Sequence, residues 1–287
     1  MSSRAIGRTM GALFLLAFVA YAGGGALIGA ESGGGSGDLP DYLPDYLADY
    51  LADVADNPTR IAAGALLMLI NSAAVVGIGV LAFPVLKPHS EISAQAYLIG
   101  RAVEAALLAV GVVFLLLLVP LAREHASAGG AAGAAGSDAG SDAGSALAGV
   151  ARVVVAGNHY SYQIAMMSVA IVGVVFCRVL FRARLVPRFM AVWGLAGYAV
   201  FLVGAVLEVF GYGVGVVLAV PGGLFEIALG VLLIVRGFPV ARSGGAAGGG
   251  EAGGGEAGGG GAGGGGAGDV QDGGGRRVGF LVSTEGP

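Results

Sequence analysis

Hydrophobic residues fall along the chain in blocks of about twenty, set apart by polar or glycine-rich stretches. Six such blocks are present, at 9–30, 60–83, 96–120, 160–181, 188–210 and 213–235. Each is as long as a hydrocarbon layer ~30 Å thick requires of an α-helix. The pattern predicts an all-α fold: a polytopic bundle of about six transmembrane helices occupying residues 1–242, followed by a Gly-rich tail at 243–287. Arg4 and Arg8 ahead of the first block also give it the outline of a secretory signal peptide. Its length, and the five blocks behind it, favour an uncleaved first span.

Composition agrees with that reading. Charged residues make up 12% of the chain, against the roughly 25% carried by soluble domains, and mean hydropathy is +0.82. Basic residues divide unevenly between the loops. If the N-terminus is cytoplasmic, Arg4, Arg8, Lys87, Arg182, Arg184, Arg188, Arg236 and Arg242 lie inside, and only Arg60, Arg123 and Arg152 lie outside. Both termini are then expected in the cytoplasm, with the chain in a plasma membrane. One lysine against fourteen arginines, in an Ala/Gly/Val-rich chain, fits a GC-rich prokaryotic genome. No basic run suggests nucleic acid, and the lone Cys177 excludes an internal disulfide or a CxxC motif.

The connecting segments carry patterns of their own. "LPDYLPDYLADYLADV" repeats every four residues, and from Pro44 it reads as a helix ended by "DNP" at 56–58. Leu43, Leu47 and Leu51 form one stripe, with Tyr42, Tyr46 and Tyr50 beside it and Asp41, Asp45, Asp49 and Asp53 as an acidic column. An amphipathic helix lying on the outer membrane surface fits this arrangement. So does a short duplicated lid with a solvated acidic face. Residues 127–149, rich in Gly, Ala and Ser, read as a flexible outer loop, and the tail from 243 as a disordered linker.

Candidate chemistry lies inside the spans, where an ionisable group needs a partner or a task. Arg101 and Glu104 are three residues apart in the third span, on one helical face. Glu226 falls near the middle of the sixth span, and Asn71 near the middle of the second. Arg178 and Glu208 lie closer to span ends. The candidate intramembrane site is therefore Arg101, Glu104, Glu226, Asn71 and Arg178. It is either a set of ion pairs that fixes helix register or a carboxylate pair that handles a cation or protons. "VEAALLAVGVV" (103–113) and "FEIALGVLLIV" (225–235) align Glu104 with Glu226, which raises the expectation of an inverted repeat of three spans per half. His89, His125 and His159 have no ligand spacing, and no HExxH, GxSxG or phosphate loop occurs. No metal, cofactor or catalytic residue is assigned.

"FRARLVPRFMAVWGLAGY" (181–198) joins two spans through a basic turn, with Pro187-Arg188 followed by Trp193-Gly194. With Arg101-x-x-Glu104, with Glu226 ten residues before Arg236-Gly237-Phe238, and with the opening "RAIGRTMGALFLLAF", the chain resembles the prokaryotic membrane family catalogued as domain of unknown function 4386. The resemblance covers residues 4–240. It implies an integral membrane protein of about six spans with no established activity, and it supplies no catalytic residues. The leading expectation is a structural or regulatory membrane protein. A small transporter or ion pathway using Glu104 and Glu226 is the alternative, and an intramembrane enzyme comes last. The expected partner is the lipid bilayer, with anionic headgroups at Arg182, Arg184 and Arg188.

Overall fold

The computed structural model describes residues 2–29, 44–135 and 138–239, with backbone alone at 44–46, 48, 128–135 and 138–143. The expected tail at 243–287, and Asp41, Tyr42 and Leu43 of the repeat, lie outside the described residues. Seven helices follow in order: α1 (Ser3–Ile28), α2 (Pro44–Asp56), α3 (Pro58–Leu86), α4 (Glu91–Ala135), α5 (Asp138–Ala183), α6 (Arg188–Val209) and α7 (Gly215–Arg236). All but α2 contain stretches long and apolar enough to cross a membrane. The protein is a multi-pass, all-α membrane protein.

Among the described residues, each spanning helix packs mainly against its chain neighbours, and α7 closes on α1. The spans thus form a ring in chain order: α1, α3, α4, α5, α6, α7. This order rules out the inverted repeat expected from the Glu104 and Glu226 segments. A two-fold axis in the membrane plane reverses the sense of rotation seen along the bundle axis. Spans four to six would then circulate against spans one to three, whereas here all six follow one direction. The short match reflects residue types common to apolar helices.

One end of the ring carries the start of α1, the α3–α4 and α5–α6 turns and the close of α7; it is called the basic end here. α1 and α7 meet tightly at this end. A Cβ on Gly11 would lie 2.5 Å from the Gly230 carbonyl oxygen, so only glycine permits that approach. Gly11→Leu is expected to cost about 1–3 kcal/mol by forcing the helices apart. Gly25→Leu, whose Cβ would meet nothing within 4 Å, is the neutral control. Thermal unfolding in detergent compares the two, and equal midpoints would contradict this packing.

Two sequence expectations change at the other end. Residues 127–135 and 138–149, expected as a flexible loop, continue α4 and α5 as helix. Alanine is the best helix former, and its density in this segment offsets the glycines. α4 has 45 residues, roughly 67 Å at 1.5 Å per residue, far more than a bilayer core needs. The second change concerns α2, which begins at Pro44 and ends before Asn57 as the repeat suggests. Its leucine face, however, is turned to protein rather than to lipid. Leu47, Leu51 and Val54 are buried with Ile28, Ile61, Leu115, Leu118, Ala122 and Ala151. The prolonged α4 and α5 supply the wall that a bilayer surface would otherwise have supplied. Asp53 pairs with Arg60 and accepts a hydrogen bond from Asn57, which ties the acidic column to the start of α3.

Candidate functional site

The interior face of α4 runs Ala94, Tyr97, Arg101, Glu104, all buried and spaced three or four residues apart. Arg101 is 2% exposed and is held on every side. Its Nη1 donates to Glu104 Oε1 and Oε2 at 3.2 and 2.9 Å. Its Nη2 donates to Glu226 Oε1 of α7 at 3.2 Å, and its Nε to the Tyr97 hydroxyl at 3.0 Å. The guanidinium carbon also lies 5.4 Å from the Tyr97 ring centre and 5.5 Å from that of Phe14 on α1, within cation–π range. Tyr198 of α6 donates its hydroxyl to Glu226 Oε1 at 2.6 Å. Three helices therefore meet at one guanidinium, and α6 joins them through Glu226.

Glycine makes this convergence possible at α5. A Cβ on Gly173 would fall 2.6 Å from the Tyr198 ring, so the absent side chain lets that tyrosine reach Glu226. Phe176 stacks on Tyr97 at 4.6 Å between ring centres and fixes the plane of the phenol. Tyr97 could have been found in the sequence, because it stands four residues before Arg101 on the same face. Tyr198 could not, since only the ring order of the helices brings α6 to α7.

The two carboxylates differ in setting. The Glu104 side chain is 5% exposed, whereas that of Glu226 is 28% exposed. Glu226, Glu104 and Arg101 all line a cavity of about 420 Å³ to which all six spans contribute, with Ala17 and Tyr21 from α1, Val75 from α3, Leu108 from α4, Met166 from α5, Phe201 from α6 and Ala219 from α7. Toward the basic end the interior is filled instead by Met10, Tyr97, Phe176, Phe225, Leu229 and Phe238. The charged cluster thus sits at the floor of a cavity and on top of an apolar plug.

The remaining candidates divide. Asn71 is buried, lines the same cavity and belongs to its wall. Arg178 does not join the cluster: it is exposed on the outer face of α5, five residues from the helix end, where its long stem can reach the interface. Helical phase explains the difference, because Phe176, Cys177, Val179 and Leu180 around it point inward. Glu208, expected within reach of water, is buried, and its Oε2 accepts the Gly215 N–H at 2.6 Å at the start of α7. There a carboxylate meets a helix N-terminus, which carries partial positive charge. Arg182, Arg184 and Arg188 are all exposed around the α5–α6 turn. Among the described residues no group of three or more His, Cys, Asp or Glu side chains is placed to hold a metal ion.

A ring of six spans around a charged intramembrane cluster defines a polytopic membrane protein with an internal cavity. Residues 9–237 match the family described as "Domain of unknown function (DUF4386)", and the chain belongs to that family. No curated protein and no solved structure matches it.

Proposed function

We propose that the protein binds a singly charged organic cation in its central cavity, as a small transporter would, with Glu226 as the anionic contact. The observation that carries this reading is the unequal exposure of the two carboxylates around one arginine. With all three groups ionised, the cluster holds two negative charges against one positive. The surplus negative charge is costly within a bilayer, and Glu226, the more exposed of the two acids that line the cavity, is where a cation would neutralise it. The Arg101–Glu104 pair, nearly fully buried at the edge of the same cavity, has the structural role of fixing α4 against its neighbours. The cavity lies within the range of about 300–1,000 Å³ typical of small-molecule sites, and most of its lining residues are apolar.

Positive-inside asymmetry supports an N- and C-terminus in the cytoplasm, with the basic end inward and the cavity toward the outside. Exposed Arg182, Arg184 and Arg188 would then meet the anionic headgroups of the inner leaflet.

The test compares tetraphenylphosphonium with tetraphenylborate, two ions of closely similar shape and opposite charge, by equilibrium dialysis against the purified protein in detergent. Saturable one-to-one binding of the phosphonium, with none of the borate, is expected. Equal uptake of the two would mean that the cavity selects for shape alone, and the cation reading would be abandoned.

A further inference from the structure

We infer that the cavity opens sideways between α1 and α7 into the hydrocarbon layer, and that its guest enters from the bilayer rather than from water. The identity of that guest as a cation rests on the reading above; the opening rests on packing alone.

The close glycine contacts between α1 and α7 lie toward the basic end. Gly7 lies against Gly237 and Phe238, and Gly11 against Gly230 and Ile234. Toward the other end each helix has a different close partner. Gly24 of α1 packs on Gly64 and Met68 of α3, whereas Pro221 and Gly222 of α7 pack on Gly197 of α6 and Leu218 packs on Gly204. The space between these upper halves belongs to the cavity. Phe18 on one side and Val220 and Leu224 on the other line it, yet they are 49%, 51% and 52% exposed. Residues that belong both to a cavity wall and to the outer surface form the rim of an opening. Gly223, another lining residue, would carry its Cβ into open space, with nothing within 4 Å.

The depth of the rim decides what it opens onto. Phe18 is fifteen residues beyond Ser3 on α1, roughly 22 Å along the helix axis, and Leu224 is twelve residues before Arg236 on α7, roughly 18 Å. Both positions fall within a ~30 Å hydrocarbon layer. A guest with an apolar body and one positive charge concentrates in that layer, passes an uncharged rim and meets Glu226 two residues beyond Leu224. A hydrophilic cation would find no polar side chain on Phe18, Val220 or Leu224 to replace its water.

Photolabelling from within the bilayer tests the opening. The protein in lipid vesicles is irradiated with an uncharged, bilayer-dissolved aryl diazirine, and the labelled residues are located by fragment mass spectrometry. α5 carries its own control: Ile164 and Ile171 face outward, 50% and 53% exposed, and Met166 and Val169 face the cavity, 9% and 3% exposed. Labelling is expected on both faces of α5 in the unmodified protein. In Gly223→Trp, whose indole would stand in the opening, labelling of Met166 and Val169 should fall at least fivefold while that of Ile164 and Ile171 persists. Labelling confined to the outward face of the unmodified protein would overturn the inference, as would interior labelling undiminished by Gly223→Trp. Failure of phosphonium binding alongside intact interior labelling would remove the cation and leave the opening, so the two readings fail separately.

Discussion

Replacing Arg101 with glutamine is expected to destabilise the bundle by about 3–5 kcal/mol, the usual consequence of removing one partner from a buried ion pair. The substitution leaves two carboxylates facing each other in the membrane interior, where Glu104 loses both of its guanidinium contacts and Glu226 loses one of its two. It also frees the Tyr97 hydroxyl and removes the cation that Phe14 and Tyr97 enclose. In detergent the thermal midpoint should fall by on the order of 10 °C. Arg101→Lys should recover part of the loss, because an ammonium restores charge but cannot reproduce the planar fork that reaches both acids at once. Arg178→Gln should change the midpoint little, since that arginine stands on the outer face of α5 and outside the cluster. Equal losses from Arg101→Gln and Arg178→Gln would show that position within the bundle does not matter, and the cluster would lose its structural role.

Much of this arrangement is written in local sequence, and the limits of that legibility are physical. Span positions are legible because a bilayer acts on each helix separately: twenty apolar residues satisfy it whatever surrounds them. The burial of Arg101 together with Glu104 is legible for the same reason, since a three-residue spacing fixes a common face without knowledge of any neighbour. The end of α5 was harder to read. Arg178 resembles Arg101 in a list of membrane charges, and only helical phase relative to the core separates them. The leucine stripe of α2 shows that the helix has an apolar face, yet lipid and protein satisfy such a face equally well. What decided between them was the continuation of α4 and α5 beyond the bilayer, through a segment whose glycine content suggested a loop. The meeting of Glu226 with Arg101 lies 125 positions apart in sequence and depends on ring closure between α7 and α1. No local pattern encodes that closure.

The ring also accounts for the different surroundings of the two acids. Glu104 lies one turn beyond Arg101 on the same helix, on the cavity side, and both of its oxygens accept from that arginine. Glu226 approaches the same arginine from α7, whose first half packs on α6. One acid is consumed by packing and the other is left at a surface, although both sit in apolar helices and both align in sequence.

Glu226→Gln should therefore separate function from stability. Removing this charge leaves one arginine and one carboxylate in the cluster, a balanced pair in place of a surplus negative charge. Glutamine keeps an amide oxygen for Arg101 Nη2 and the Tyr198 hydroxyl, so the two contacts at 3.2 and 2.6 Å can persist. Stability in detergent should be unchanged or raised. Phosphonium binding should weaken at least a hundredfold, about 2.7 kcal/mol, because the one carboxylate left at the cavity, Glu104, is nearly fully buried and paired with Arg101. Glu104→Gln should show the reverse order. It removes the buried bidentate contact, lowers the thermal midpoint and affects binding less, since the more exposed acid of the cavity remains. Dialysis and thermal unfolding of the two variants side by side measure both effects. If Glu226→Gln unfolds as readily as Glu104→Gln while binding is lost equally in both, the carboxylates act as one structural unit and the division of labour between them does not exist. If Glu226→Gln stays folded and loses the cation alone, the costly open acid is kept for the guest.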